Sequence, residues 1–228
     1  MDKKGFTLVE LMVSLAVGMM IMLAVYASLN MAQRSTTGVT SKVTTQQDVR
    51  SVLDLMTMEI RMASYNPLNN ANTWSNTDAS LTCAPNSVTA PPAYKGIKDA
   101  TGSGIAVAMD LGASGVIGDA SNEYIVYSYD GNSTITRNVS CGGNDLILGG
   151  AGTNTNVRNA AAGISLFRYF DRTDAEIPAT SLPARIPDIR RINITIVADT
   201  EHNDPNTQQP RRMIYSTNII VRNHVLSP

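Results

Sequence analysis

One acidic residue stands inside the longest apolar run of this sequence. Glu10 is the only charged residue between Phe6 and Leu29. A carboxylate placed in hydrocarbon costs about 2.5 kcal/mol or more, so an acid at such a position is a functional residue by default. Glu10 is therefore the first residue whose chemistry has to be explained.

The other reactive side chains are few and widely spaced. Cys83 and Cys141 are the only cysteines, and no CxxC pair or nearby histidine suggests a catalytic or metal-binding thiol. His202 and His224 are the only histidines, and no G-x-S-x-G elbow accompanies them. We interpret both as surface residues. The sequence thus indicates no active site.

The element that carries Glu10 is long enough to cross a membrane. As a helix, residues 6–29 would span about 36 Å, against roughly 30 Å for a hydrocarbon core. Lys3 and Lys4 precede this run, and Arg34 is the next charge after it. The bias of positive charge predicts a cytoplasmic N-terminus and an exported remainder.

Two ordinary explanations of the apolar run are open. A cleaved secretory signal peptide would use small residues such as "AVYAS" at 24–28 as its cleavage site. The other alternative is an unprocessed membrane anchor. Neither alternative explains Glu10 or the glycine directly before Phe6.

The stretch "KKGFTLVELMVSLAV" resembles the class III signal of type IV prepilins and type II secretion pseudopilins. The resemblance implies that prepilin peptidase cleaves between Gly5 and Phe6 and methylates the new amine of Phe6. Glu10 then becomes the fifth residue of the mature chain. In a helical bundle its carboxylate can pair with the amine of a neighbouring subunit, which sets axial register more than net stability.

The helix is expected to continue beyond the membrane, over 6–64 in total. The Thr- and Ser-rich stretch 34–47 contains poor helix formers, and we expect it to be loosened. From residue 46 apolar residues recur at spacings of three and four, which predicts an amphipathic helix that packs on a sheet. Pro67 and its neighbouring asparagines end the helix.

The remainder, 65–228, reads as an exported β-rich domain. Strands are predicted at 104–112 and 163–171, and a hairpin at 123–139 with its turn at Asp-Gly-Asn. Alternating isoleucines predict a strand over 188–199, which pairs antiparallel with 212–223. The order of these C-terminal strands resembles PilW- and GspJ-like minor pilins. The predicted fold is α+β and pilin-like: a leader at 1–5, a helix whose 6–29 part is transmembrane, and an antiparallel sheet domain.

The predicted export of the domain affects the interpretation of the two cysteines and of one acidic loop. An oxidising compartment predicts a Cys83–Cys141 disulfide, with two free buried thiols as the alternative. Some pseudopilins hold calcium in acidic loops, and Asp199, Glu201 and Asp204 form a candidate site of this kind. A solvated acidic turn is the alternative. No cofactor is predicted.

The composition and the resemblance together indicate which kinds of binding partner to expect. The net charge of −1 and the lack of a basic stripe give no indication of nucleic acid. By resemblance the chain is a non-enzymatic minor pilin or pseudopilin that helps to initiate a filament, in a tip complex. The implied partners are prepilin peptidase, other minor and major pilins, and the inner-membrane assembly platform. The alternative is a membrane-tethered adhesin displayed by a pilin signal.

Overall fold

A single long helix, α1, runs from Leu8 to Arg61. The computed structural model describes residues 5–70, 72–75, 77–78, 80–83, 91–204 and 207–224, so the predicted leader charges Lys3 and Lys4 lie outside the described residues. At 54 residues, α1 is about 80 Å long. It ends at Met62, whose amide is bonded to the carbonyls of Glu59 and Ile60.

The predicted loosening of the helix over 34–47 is wrong. The helix is unbroken there, and the hydroxyls of Thr36, Thr37 and Thr44 each donate to the carbonyl four residues earlier at 3.0–3.1 Å. These bonds satisfy the side chains within the helix, so threonine does not compete with the helical backbone. Within the same stretch, the hydroxyl of Thr45 donates to the carbonyl of Asn154 at 3.0 Å, which attaches the helix to the domain.

The C-terminal half of α1 packs on the domain through the predicted apolar stripe. Its buried apolar residues lie at spacings of three and four: Val49, Val52, Leu53, Met56 and Ile60. This face contacts the strands that end the chain and one strand of the first sheet. Hydrophobic burial therefore fixes the helix to the domain along three turns.

The first sheet is a five-stranded antiparallel meander in sequence order. Its strands are β1 (Ile97–Ala100), β2 (Gly104–Ala108), β3 (Tyr124–Tyr129), β4 (Thr134–Val139) and β5 (Asn144–Gly149). The predicted 123–139 hairpin is β3–β4. Its turn is stabilised by the carboxylate of Asp130, which accepts from the amides of Asn132, Ser133 and Thr134 at 2.8–3.0 Å.

The second sheet is built around one long strand. Its strands are β6 (Thr155–Val157), β7 (Phe167–Phe170), β8 (Arg191–Asn203) and β9 (Pro210–Ile220). β6 and β7 pair with different parts of β8, and β9 pairs with β8 along most of its length, all antiparallel. As predicted, Ile192, Ile194 and Ile196 are buried on one face of β8.

The domain has two hydrophobic cores, one on each face of the first sheet. The main core lies between α1 and the two sheets. A smaller core on the opposite face contains Trp74, Leu81, Ile117 and Tyr124. Consecutive residues of β2 point alternately into the two cores, which explains why that strand is apolar without interruption. The architecture confirms the α+β class: one long N-terminal helix packed on antiparallel sheets, consistent with a pilin-like fold.

A disulfide connects the edge of the smaller core to the first sheet. Cys83 and Cys141 are bonded, with their Cα atoms 5.3 Å apart, which supports the disulfide expected from the sequence. The bond joins the segment after α1 to the end of the β3–β4 hairpin. It closes a loop of 58 residues that contains β1 to β4.

Removal of this bond should destabilise the domain. For a loop of this length the chain-entropy model gives a stabilisation of about 4 kcal/mol. We expect the Cys83→Ala/Cys141→Ala variant to lose about 2–4 kcal/mol of unfolding free energy in urea denaturation. Wild-type protein under reducing conditions should match the variant, and the variant should not respond to reductant. An unchanged urea midpoint in the variant would contradict a stabilising role.

Candidate functional site at the N-terminus

The functional candidate Glu10 lies in the first turn of α1, where it caps the helix together with Thr7. The Thr7 hydroxyl accepts a bond from the Glu10 amide at 3.2 Å, and the Glu10 carboxylate accepts one from the Thr7 amide at 3.3 Å. This reciprocal arrangement is a capping box, and it satisfies two backbone donors at the helix end. The sequence analysis did not predict it, although Thr followed three residues later by Glu is its signature.

In the described part of the chain, the Glu10 carboxylate has no cationic partner. Among the described residues, no lysine, arginine or histidine nitrogen lies within 4 Å of it. Its bonds come only from the amide and hydroxyl of Thr7, both at 3.3 Å. The positive end of the helix dipole favours an acid at this position, but a unit charge on a lipid-facing helix is still far from neutralised.

Phe6 and Gly5 precede the capping box in open surroundings. Phe6 is 87% exposed, and no heavy atom lies within 4 Å of the position that a Cβ on Gly5 would occupy. The peptide bond between the two residues is outside the helix, which begins at Leu8. A protease could therefore reach this bond without unwinding the helix.

The apolar half of α1 is exposed on all sides. An 18-residue window of the helix reaches a mean hydropathy of 2.4, and none of it is buried within the chain. Its hydroxyls are satisfied locally: Ser14 donates to the carbonyl of Leu11 at 2.9 Å and Ser28 to that of Ala24 at 3.0 Å. A helix with its backbone and hydroxyl groups bonded in this way suits a lipid environment or a bundle of other helices.

Comparison with known protein families agrees with this site. Residues 1–26 match the family described as the prokaryotic N-terminal methylation motif. Comparison with curated proteins and with solved structures gives no significant match. The motif supports a type IV pilin-like protein. It implies processing by prepilin peptidase, association with other pilins and anchoring in a membrane.

The predicted acidic loop is organised by arginines. Asp199 is buried and accepts two bonds from Arg212, both at 2.9 Å. Asp204 lies 3.9 Å from Arg211. Among the described residues, no group of three acidic, histidine or cysteine side chains converges as a metal site would require. Asp199 and Asp204 thus face arginine side chains at the β8–β9 hairpin, and calcium binding by Asp199, Glu201 and Asp204 stays a prediction.

The interpretation of both histidines as surface residues is wrong for His224. His202 is exposed, but His224 is buried. Its Nε2 donates to the carbonyl of Ile186 at 2.9 Å, so its Nδ1 accepts from the hydroxyl of Ser64 at 2.8 Å. Ser64 in turn accepts from the amide of Gly96 at 2.9 Å. The histidine joins the segments after α1 and after β9 because the fold, not the local sequence, brings them together.

Two further acids, one half-buried and one buried, were not foreseen. Glu59, on α1, accepts bonds from Arg137 at 2.6 and 3.0 Å and from the hydroxyl of Tyr127, which ties the helix to β3 and β4. Burial and this carboxylate raise the pKa of Tyr127. Glu123 is fully buried and accepts from four backbone amides of the 110–120 loop, at 2.8–3.2 Å. Both acids have structural partners, and neither faces a pocket.

His224 should make the domain sensitive to acid. Burial lowers the pKa of His224 from 6.5 to about 4, with a smaller contribution from the positive charges of Arg190 and Lys95. As the pH falls, the imidazole of His224 is therefore protonated in the unfolded chain before it is protonated in the folded chain. The unfolding free energy that the neutral histidine contributes is present above pH 6.5 and is lost as the pH falls towards 4. The loss of unfolding free energy should reach about 3 kcal/mol.

The measurement is urea unfolding of wild type and His224→Gln across this pH range. Other carboxylates titrate in both proteins, so the difference between the two stability curves isolates the histidine. We expect the wild type to lose more stability on acidification than the variant. Parallel curves would contradict a buried neutral His224.

Proposed function

We propose that this protein is a minor pilin or minor pseudopilin, a non-enzymatic subunit that helps to initiate a pilus-like filament. The observation that carries the proposal is Glu10, which caps an apolar helix that nothing in the described chain covers. Such a helix needs lipid before assembly and other helices after it. A filament core of pilin helices supplies the second environment.

The proposed role of Glu10 follows from its charge, which has no cationic partner among the described residues. After cleavage between Gly5 and Phe6, the new amine of a neighbouring subunit is a cation of the right kind to pair with the carboxylate. Leaving one member of a buried ion pair unpartnered costs about 3–5 kcal/mol, so subunits out of axial register are disfavoured. The same argument explains why a single acid in an apolar run is useful: a second one would allow a second register.

Because the helix is continuous, the axial register set at Glu10 also affects the position of the exported domain. Because α1 is unbroken from Leu8 to Arg61, the position of Glu10 in a bundle sets the height of the exported domain. Glu59, bound to Arg137, anchors the other end of the same helix to the sheet. A charge pair at the N-terminal end of the helix therefore fixes the axial position of the whole subunit in the filament.

The minor and tip-located role rests on the resemblance of the C-terminal strands to PilW- and GspJ-like subunits. We propose that the chain lies in the inner membrane with its N-terminus in the cytoplasm and its domain in the periplasm before assembly. It would then join other minor pilins through the assembly platform. The type IV pilus and the type II secretion pseudopilus are both compatible with these features.

The loop region between α1 and β3 favours a structural role over an adhesin. Among the described residues of this region, Trp74, Leu81 and Ile117 are buried in the smaller core and are not available to a ligand, whereas Leu68 and Leu111 are exposed singly. The loop after β2 is ordered by the buried carboxylates of Asp110 and Glu123. We therefore interpret these loops as part of the domain's own packing.

The first test concerns processing. We expect Gly5→Val to leave the leader attached, because a branched side chain at the cleavage site should prevent the peptidase from acting. A side chain at this position meets no heavy atom within 4 Å, so folding should not change. Mass spectrometry of the N-terminal peptide from cells that contain prepilin peptidase measures the result. A mature chain beginning at Phe6 in this variant would contradict the proposed cleavage.

The second test separates the charge of Glu10 from its capping role. Glu10→Gln keeps a side chain that can complete the capping box but removes the charge. We expect normal membrane insertion and about tenfold or greater loss of co-purification with partner pilins, since the neighbouring amine loses its counter-charge. Thr7→Ala is the matched control, because it removes the cap and keeps the charge. Equal partner recovery by Glu10→Gln and wild type would contradict the register role.

A further inference from the structure

Strand β9 has an open edge. Among the described residues it pairs only with β8. The amide of Val221 donates to the carbonyl of Arg190 at 3.0 Å, and alternate residues of a strand direct their amides to opposite edges. The backbone groups of residues 214, 216, 218 and 220 therefore point away from β8, and form a row of donors and acceptors that no described residue pairs with.

This edge lacks the features that usually protect an exposed strand. Edge strands are commonly shortened, bulged, covered, or protected by charged residues or proline. β9 has eleven residues, and its proline and arginines are confined to Pro210, Arg211 and Arg212 at its start. Further along, Ile214 and Ile220 are 59% and 60% exposed. The second half of the strand thus offers both backbone pairing and apolar surface.

A groove of about 340 Å³ lies where this edge meets the end of α1. Its lining residues are Arg61, Asn218, Ile220, Arg222 and Asn223. In the described part of the chain, neither arginine has a carboxylate within 4 Å, whereas Arg137 and Arg212 each have one. Two guanidinium groups that have no carboxylate partner among the described residues therefore stand at the end of an open strand edge.

We infer that the free edge of β9 binds an extended segment of another protein, with an acidic side chain of that segment placed between Arg61 and Arg222. Strand addition supplies backbone hydrogen bonds, and the arginine pair supplies selectivity for a carboxylate. The inference concerns the exported domain alone, and it does not depend on how the N-terminus is processed.

Charge complementarity favours such a partner over a second copy of this chain. β9 carries arginines at its start and is followed by Arg222 at its end. Pairing of two copies in the parallel direction places Arg222 beside Arg222, and antiparallel pairing brings it towards Arg211 and Arg212. Parallel pairing thus sets positive charge against positive charge. In antiparallel pairing Arg222 meets arginines whose carboxylates, Asp199 and Asp204, are already paired, so it gains no counter-ion. An acidic segment supplies that counter-ion.

The test uses the full chain in detergent and three synthetic peptides. Each peptide is an eight-residue strand of alternating Thr and Val with one variable residue, which is Glu, Gln or Lys. Fluorescence anisotropy measures binding. We expect the Glu peptide to bind about tenfold tighter than the Gln peptide, the Lys peptide to bind weakest, and the preference to fall with added salt.

Two variants test the site itself. Ile220→Pro removes an outward amide without touching a bond to β8, and Ile220→Val is its matched control because it keeps the amide. Ile220→Pro should abolish binding and Ile220→Val should retain it. Arg222→Glu should reverse the preference from the Glu to the Lys peptide. Thermal unfolding checks that all variants are folded.

The alternative outcomes are distinct. Absent binding, equal binding of the three peptides, or binding that survives Ile220→Pro would overturn the inference. Self-association of the wild type that Ile220→Pro abolishes would also overturn it, since a second copy would then be the occupant of the edge. Failure of this test would leave cleavage at Gly5 and the role of Glu10 untouched, so the two proposals fail separately.

Discussion

The packing of one helical stripe against the sheets is the contact on which the rest of the structure depends. Val49, Met56 and Ile60 are fully buried beneath the domain, while the first 30 residues of the same helix are almost wholly exposed. One unbroken element thus faces two environments, protein at one end and lipid or other helices at the other. Hydrophobic burial holds the domain to the helix, and the exposed half is free to join a membrane or a bundle.

Local pattern was enough to predict α1, the β3–β4 hairpin and strands β2, β7, β8 and β9, but not the strands β1, β5 and β6 or the contacts between elements. The three-and-four spacing after residue 46, the Asp-Gly-Asn turn and the alternating isoleucines of β8 each predict their own element because the information lies within a few residues. The bonds of Glu59 to Arg137 and of His224 to Ser64 join residues 78 and 160 positions apart, so no short window contains them. The Thr-rich stretch of α1 was mispredicted because its local helix propensity was given too much weight. Its intrinsic propensity is poor, but hydroxyl bonds within the helix and contacts to the domain outweigh it.

The candidate site was predictable from sequence because it is a short motif on one turn of helix. Glu10 is identified by its charge within an apolar run, and the Gly5–Phe6 junction by the resemblance to the prepilin signal. The structure adds the capping box with Thr7. The open edge of β9 could not be found in this way, since a strand's exposure depends on which neighbours it has. The groove beside Arg61 likewise requires the end of α1 and the end of β9 to meet.

The proposed function requires a processed, membrane-held helix whose single acid sets register, with a disulfide-bonded domain carried at its other end. The most direct test of its central claim is the mass of the N-terminal peptide of the wild-type protein isolated from its own cells. The account predicts a chain that begins at Phe6 and carries one methyl group on its amine. A chain that still begins at Met1, or one cleaved after the apolar run near residue 27, would contradict it.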